Sequence, residues 1–415
     1  MREIKQLNES HIDAYTDIAF NAYPSFKNFN KDAMDKYKLE AIETMNNDPV
    51  VTFYGLFEHE ELIGVMRLFD FQMNLFGKIM PVSGLGFLGV HLLHKKNGVA
   101  RELIAYYEKH YLNKEVPIAL LLPFRPDFYK RMGYGFGTKL NQYRIPSKYL
   151  PKYEIKDKLR YLVENDLNII LECHEKVVKK SHGRIKKFGD EIRDLFGNAF
   201  NRIIGSFNKD GKLNGYLVYK FDNGKPGNYT INHIYIKELI YENSMVLKNL
   251  MGYLKNQIDQ VELVIFNTTD EHFHNVFSNP LNDSKNYIPY GYLETNTQAI
   301  GVMYKILDIK MAFAQCSRHY NYVNLKVRFL VEDDYNSSLT EIIVHFNNGE
   351  IILDELEYDV SVKMKYSDFS SLFLACTSVS GLYNIGLLEI DNKEKLEILD
   401  LAFYYPQKPV CYTDF

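Results

Sequence analysis

Apolar residues crowd positions 50 to 90 in long runs that turn-forming residues interrupt twice, at EHEE and at LFGK. That pattern predicts an antiparallel meander. Ahead of it, NESHIDAYTDIAFNAY has the spacing of an amphipathic helix, with Asn8 or Ser10 as its cap. Behind it come a helix over 98–113, a strand in PIALLLP and the turn-rich FRPDFYKRMGYGFG. Residues 1–149 therefore predict one α/β unit.

Residues 150–298 repeat the order more loosely. Helical text (DEIRDLFGNAF) precedes strands in RIIGSFN, LNGYLVYKF and NYTINHIYIKELI, and then come the helix SMVLKNLMGYLKNQ and the strand VELVIFN. From residue 299 the pattern changes. MYKILDIKMAFAQC predicts a strand and a helix, and the segment from NLKVRFLVEDDY onward predicts a meander with NNG as a hairpin turn. KYSDFSSLFLACTSVSGLYNIGLLEI then predicts helix, bend and helix. No low-complexity linker separates the units, so they are expected to pack together.

Composition narrows the function classes. A chain of 415 residues predicts two to four domains, and 46% hydrophobic with 25% charged residues is ordinary globular composition. A net charge of −4 argues against general nucleic-acid binding. The charge run HEKVVKKSHGRIKKFGDE predicts a solvated face. The four cysteines lie far apart, which predicts neither a disulfide framework nor a CxxC metal site. The pairs His91/His94 and His272/His274 lack visible further ligands, so no metal is expected. The N-terminus has no apolar signal core and no stretch is long enough to span a membrane, which predicts a cytoplasmic protein.

One stretch carries candidate chemistry: GFLGVHLLHKKNGVARELI, residues 86–104. An apolar strand gives way to a basic turn, one glycine and a helix. Gly89 inside the strand predicts a bulge or a close backbone approach. Free N–H groups at a helix start form an anion site, and Gly98 lets a phosphate reach the backbone while Lys95 and Lys96 add positive charge. Spacing alone equally fits an ordinary strand–loop–helix with a solvated basic turn. The second unit's YIKELIYENSMVL has neither the lysines nor the glycine, and so predicts a copy without the loop.

Lys95-x-x-Gly98-x-Ala100 resembles the (Arg/Gln)-x-x-Gly-x-(Gly/Ala) acetyl-CoA loop of GNAT N-acetyltransferases. Lysine in the first position keeps the backbone cradle but loses a guanidinium fork. The wider pattern, carried by GLGFLGVHLLHKKNGVAREL, DFYKRMGYG and TDF, resembles the Eis (enhanced intracellular survival) acetyltransferases over essentially the whole chain. The resemblance implies an α/β (α+β) architecture of two tandem GNAT folds, the second degenerate, followed by a sterol-carrier-protein-like domain over 299–415. It implies acetyl-CoA as co-substrate, bound by Leu88, Gly89, Val90, Lys95, Lys96, Gly98, Val99 and Ala100, with the bulged strand 88–90 supplying the oxyanion contact. Tyr129 would protonate the departing thiolate, and Tyr134 would shape the turn. The α-carboxylate of Phe415 would be the base, Asp414 would add acidic character, and Phe87 and Tyr23 would line the acceptor pocket. Ser25 stands where the family carries an acid. The resemblance further implies a small-molecule amine acceptor of aminoglycoside or polyamine type, or lysine, and a hexamer. The competing reading is a lipid-binding or regulatory protein with a vestigial GNAT domain.

Overall fold

The computed structural model describes residues 1–23, 31–316, 322–353 and 356–415, so Ser25 lies outside the described residues. The first unit opens with strand β1 (Arg2–Gln6) and helices α1 (Ile12–Ala22) and α2 (Lys31–Asn47). The predicted meander follows as β2 (Val51–Glu58), β3 (Glu61–Leu75) and β4 (Lys78–Val90). Helix α3 (Val99–Asn113), strand β5 (Ile118–Leu121), helix α4 (Pro126–Arg131) and the short β6 (Gly135–Phe136) complete it. Helix α3 buries Val99, Leu103, Ile104, Tyr107 and Tyr111, one face at helical spacing, against Ile63, Met66, Leu68 and Leu85 of the sheet.

The sheets do not respect the expected divisions after residues 149 and 298. The first sheet runs β1-β2-β3-β4-β5, then the strand Met303–Ile306, then β6. Conversely, β7 (Leu140–Pro146) leaves the first unit and pairs with Val261–Thr268 in the second sheet, with Thr297–Ala299 on its far edge. Each of the first two sheets is thus completed by a strand from beyond its own stretch of sequence. Backbone groups of two edges are satisfied reciprocally, which binds the units more firmly than surface packing.

The second unit otherwise repeats the first, with strands Lys158–Tyr161, Arg202–Phe207, Leu213–Asn223 and Asn232–Tyr241, helix Ser244–Lys255 and strand Val261–Thr268. The third has a five-stranded sheet ordered Glu350–Leu353, Ser338–Asn347, Asn324–Asp333, Val360–Lys365, Leu388–Ile390. Its NNG turn forms as predicted, with Asn348 and Gly349 both at positive φ (51° and 102°). One apolar cluster joins the first and third units, running from Phe53, Phe69 and Phe71 through Phe313 and Phe329 to Phe403.

The charge run at 174–191 is not a solvated face. His174 and His182 are 6% and 1% exposed, and Lys187 is buried in an ion pair with Glu238 at 3.0 Å. The loop within it stitches three parts of the chain together. The Asn74 N–H donates to the Arg184 carbonyl at 2.9 Å, Lys186 N–H to Gln72 at 2.9 Å and Val410 N–H to His182 at 2.8 Å. A run rich in charge predicts a solvated surface, but here the tertiary contacts supply partners for its buried members.

Candidate active site

Strand β4 is where the first sheet opens. Its register against β3 slips, with Val65 opposite Gly89 and Arg67 opposite Gly86, so Phe87 and Leu88 share one partner. Phe87 takes a φ of 51°, a left-handed conformation costing a non-glycine residue of order 1–3 kcal/mol. On its other edge β4 pairs with β5 only at 83–85, opposite 119–121. From Gly86 onward the two parallel strands part, and the backbone of 86–90 on that edge belongs to no ladder. Such a gap admits an extended ligand and offers it N–H and C=O groups.

The gap leads to the start of α3. Gly98 is the N-cap residue with a φ of 83°, and no side chain caps the helix, so its first N–H groups remain available. Lys95 and Lys96 are exposed and form no ion pair among the described residues. Val99 is fully buried in the core beneath the sheet, so only its backbone can serve a ligand, and Ala100 is half-buried. Arg2 fixes the loop from below, donating to the Asn97 carbonyl at 3.0 Å and pairing with Glu58 at 2.9 Å and with Glu102.

Beside the gap stands an aromatic wall. The Tyr23 hydroxyl donates to the Leu88 carbonyl at 3.0 Å, and its ring lies 5.0 Å from that of half-buried Phe87. Tyr15 and Tyr37 flank Phe87 at 5.9 and 6.1 Å. Among these rings sits Arg67, which sequence reasoning missed. Its Nε donates to the Tyr15 hydroxyl at 2.8 Å and a terminal nitrogen to that of Tyr37 at 3.1 Å. The guanidinium lies 4.5 Å from the Phe53 ring and 4.8 Å from that of Phe87, a cation–π cage. A lone arginine inside the apolar run LIGVMRLFDF is the signal that could have disclosed it.

Tyr129, on α4, is 8% exposed, and burial pushes its phenol up to about 12. Its hydroxyl has no hydrogen-bond partner among the described residues. Tyr23 is shifted the same way, by burial first and by the Tyr129 phenol second, which puts the two hydroxyls in one neighbourhood. Tyr134 is fully buried, its ring 5.7 Å from Lys305, which pairs with Glu108 at 2.8 Å.

Phe415 reaches this site from the third unit. A Cβ added at Gly86 would lie 2.9 Å from the Phe415 carboxyl carbon and 3.1 Å from its oxygen. Only glycine leaves room there. The Phe415 ring packs edge-on to Phe69 and Phe71 at 5.4 and 5.1 Å, with Phe188 closing the same cluster. Buried Thr413 lies beside Glu191, whose carboxyl burial pushes up to about 7. Because Arg67 and Gly86 face each other across β3 and β4, the arginine stem and the carboxyl share one face of the sheet. Asp414 is exposed and makes no bond among the described residues.

Glu61 joins His91 and His94, bringing three ligand-type atoms within 4.8 Å of one another. Glu61 comes from the neighbouring β2–β3 hairpin, which the local sequence around the two histidines does not show.

The second unit keeps the bulge but not the anion site. Val218 faces Glu238 and Tyr219 faces Ile236, so Lys237 is the extra residue. At its helix start, however, the Asn243 side chain accepts from Met245 N–H at 3.0 Å and Val246 N–H at 3.2 Å, occupying the groups a phosphate would need. Calorimetric titration with acetyl-CoA is expected to give one equivalent per chain. Two equivalents would show that the capped helix still binds.

Comparison with known proteins agrees with this architecture. Residues 3–137 match the acetyltransferase (GNAT) domain family and residues 309–412 the sterol carrier protein domain family. N-acetyltransferase Eis of Mycobacterium tuberculosis is 26% identical over 101 residues, 24% of this chain and 25% of the relative. The alignment thus spans about a quarter of the length of the curated relatives. Among solved structures, a probable N-acyltransferase of Enterococcus faecalis V583 superposes over 100% of both chains with a TM-score of 0.81 at 16% identity. Eis1 of Mycobacterium abscessus does so over 100% of both with a TM-score of 0.75, also at 16%. The fold is the expected one: mixed α/β, a GNAT domain first and a sterol-carrier-type domain last.

Proposed function

We propose that this Eis-like GNAT chain is an acetyl-CoA-dependent N-acetyltransferase that acts on primary amines. The observation that carries the reading is the Phe415 carboxyl seated on Gly86, at the root of the gap between β4 and β5. There a base and a thioester laid along the gap would meet. Acetyl-CoA would place its pyrophosphate on the free N–H groups after Gly98 and its pantetheine arm along 88–90. The amine would enter over Phe87 and Tyr23, and the Phe415 carboxylate would take its proton as it attacks the thioester carbonyl. Backbone N–H groups of the bulged strand would hold the oxyanion, and Tyr129 would give its proton to the leaving thiolate.

Arg67 bears on the acceptor. Its fixed positive charge on the acceptor wall opposes a second cation held close to the reacting amine. Acceptors with one amine near the site, such as a lysine side chain or the end of a polyamine, are favoured over compact aminoglycosides. The resemblance extends the proposal to hexameric assembly and a cytoplasmic location. The lipid-carrier alternative needs an open apolar tunnel in the third unit. Its Phe313, Phe329, Phe369 and Phe373 rings instead pack edge-on or tilted against one another at 5.1 to 6.2 Å.

The direct test is CoA release against a panel of amines: spermidine, N-acetyl-lysine methyl ester and kanamycin. Turnover with none of them sinks the proposal. Tyr129→Phe is expected to lower kcat by about 10²-fold while leaving acetyl-CoA affinity unchanged. Because burial raises the phenol to about 12, the donor stays protonated through neutral pH, and its loss should cause no fall in kcat below roughly that value. An unchanged kcat in Tyr129→Phe would remove the acid role.

A further inference from the structure

The second unit lost its cofactor loop without losing its strand gap. Strand Asn232–Tyr241 pairs with Val261–Thr268 only as far as Tyr235 and Ile265. Beyond that point lies a cavity of about 510 Å³, walled by both strand ends, the 181–184 loop and the 406–412 segment. That volume suits a metabolite-sized ligand. Ile236, Phe266 and Phe273 make one side apolar, while the hydroxyls of Thr268, Thr269 and Tyr412 line another. The Tyr412 hydroxyl already accepts the Thr269 N–H at 3.1 Å, which fixes its place.

Four of the six charged side chains on the cavity wall are paired. Lys237 pairs with Asp194, and Lys408 with Glu271 at 2.6 Å. Glu238 lies 3.0 Å from Lys187 and 3.7 Å from His174. Asp270 has no cation at ion-pair distance among the described residues and accepts the His272 backbone N–H at 2.8 Å. Arg184 is the unpaired cation. Its guanidinium lies 4.9 Å from the Tyr412 ring and has no carboxylate at ion-pair distance among the described residues. Its Nε is buried without a hydrogen-bond partner. Behind the cavity, Lys187 is already held by Glu238, 3.0 Å away. A guanidinium with no carboxylate partner and with its Nε shielded from water is costly to leave so.

We infer that this cavity is a binding site for a small monocarboxylate with an apolar body, its carboxylate on the Arg184 guanidinium and its body against Ile236, Phe266 and Phe273. A carboxylate supplies the partner that the Arg184 guanidinium lacks, and the planar fork of arginine matches it in two parallel hydrogen bonds. The apolar side disfavours a bare inorganic anion. The cavity wall at 406–412 continues directly into Phe415, so an occupant would brace the segment that reaches the first unit.

Benzoate, phenylacetate and hydrocinnamate, titrated against the full chain by calorimetry and ligand-observed NMR, provide the test, with 2-phenylethanol as the uncharged counterpart and inorganic phosphate as the bare anion. At least one carboxylate should bind and the alcohol should not. Arg184→Gln should weaken that binding at least tenfold and leave acetyl-CoA affinity unchanged. If Arg184→Gln does not fold, Arg184→Lys keeps the charge without the fork and should weaken binding severalfold. Failure of all three carboxylates to bind overturns the inference. So does equal binding of the alcohol, full binding by the arginine variants, or a preference for phosphate.

Discussion

Extending the chain beyond Phe415 should cut turnover by about 10²-fold or more, the usual scale for a general base. The extension turns the Phe415 carboxylate into a neutral amide and adds bulk where the carboxyl already touches the backbone at Gly86. Deleting Phe415 should do comparable damage. The new carboxylate, on Asp414, would sit about 3.3–3.6 Å short along an extended chain. The loss of the ring also uncovers Phe69 and Phe71. Phe415→Ala separates the two effects, because it keeps a carboxylate and removes only the ring, and it should lose less. Acetyl-CoA affinity should hold in all three, since the α3 start is untouched. An N-terminal extension serves as the control. If the C-terminally extended protein turns over as fast as the parent, the base lies elsewhere.

The second large effect is expected at Gly98. Its φ of 83° is open to glycine, whereas leucine would pay about 1–2 kcal/mol there. Space is not the obstacle within the protein itself: an added Cβ would meet nothing nearer than the Glu102 carboxylate at 3.7 Å. That open volume lies over the uncapped first turn of α3, where the pyrophosphate belongs in the proposed mechanism. Gly98→Leu fills it and should weaken acetyl-CoA by at least about 100-fold, or 2.7 kcal/mol. The melting temperature should fall by only a few degrees, because the strain is local. Gly98→Ala shares the strain but little of the bulk, and should lose less affinity. Unchanged affinity in Gly98→Leu, measured by calorimetry, would refute the cradle.

Both experiments rest on features that differ in how far the sequence disclosed them. The loop, the helix after it and the two-residue turn at Asn348 and Gly349 follow from interactions within a few residues. A helix start, a left-handed glycine and an apolar stripe each have a local chemical signature, so 86–104 could be read directly. The second unit's silence was equally legible, since its missing lysines and glycine are local too. The cap that completes that silence, Asn243, is also a near-neighbour effect.

Long-range pairing left no such mark. Nothing in MYKI says that Met303–Ile306 joins a sheet begun about three hundred residues earlier, because a strand's backbone pairs with any compatible edge. Arg67 looks like a misplaced charge until Tyr15, Tyr37 and Phe53 are brought around it. The run at 174–191 reads as solvated until Glu238 and the 407–413 segment supply its partners. The sequence by itself therefore determined the elements, the cofactor-type loop and the degenerate repeat. Only the tertiary structure decided the strand exchange, the caged arginine and the seating of Phe415 on Gly86, because each depends on groups distant in the chain whose desolvation is offset only once they meet.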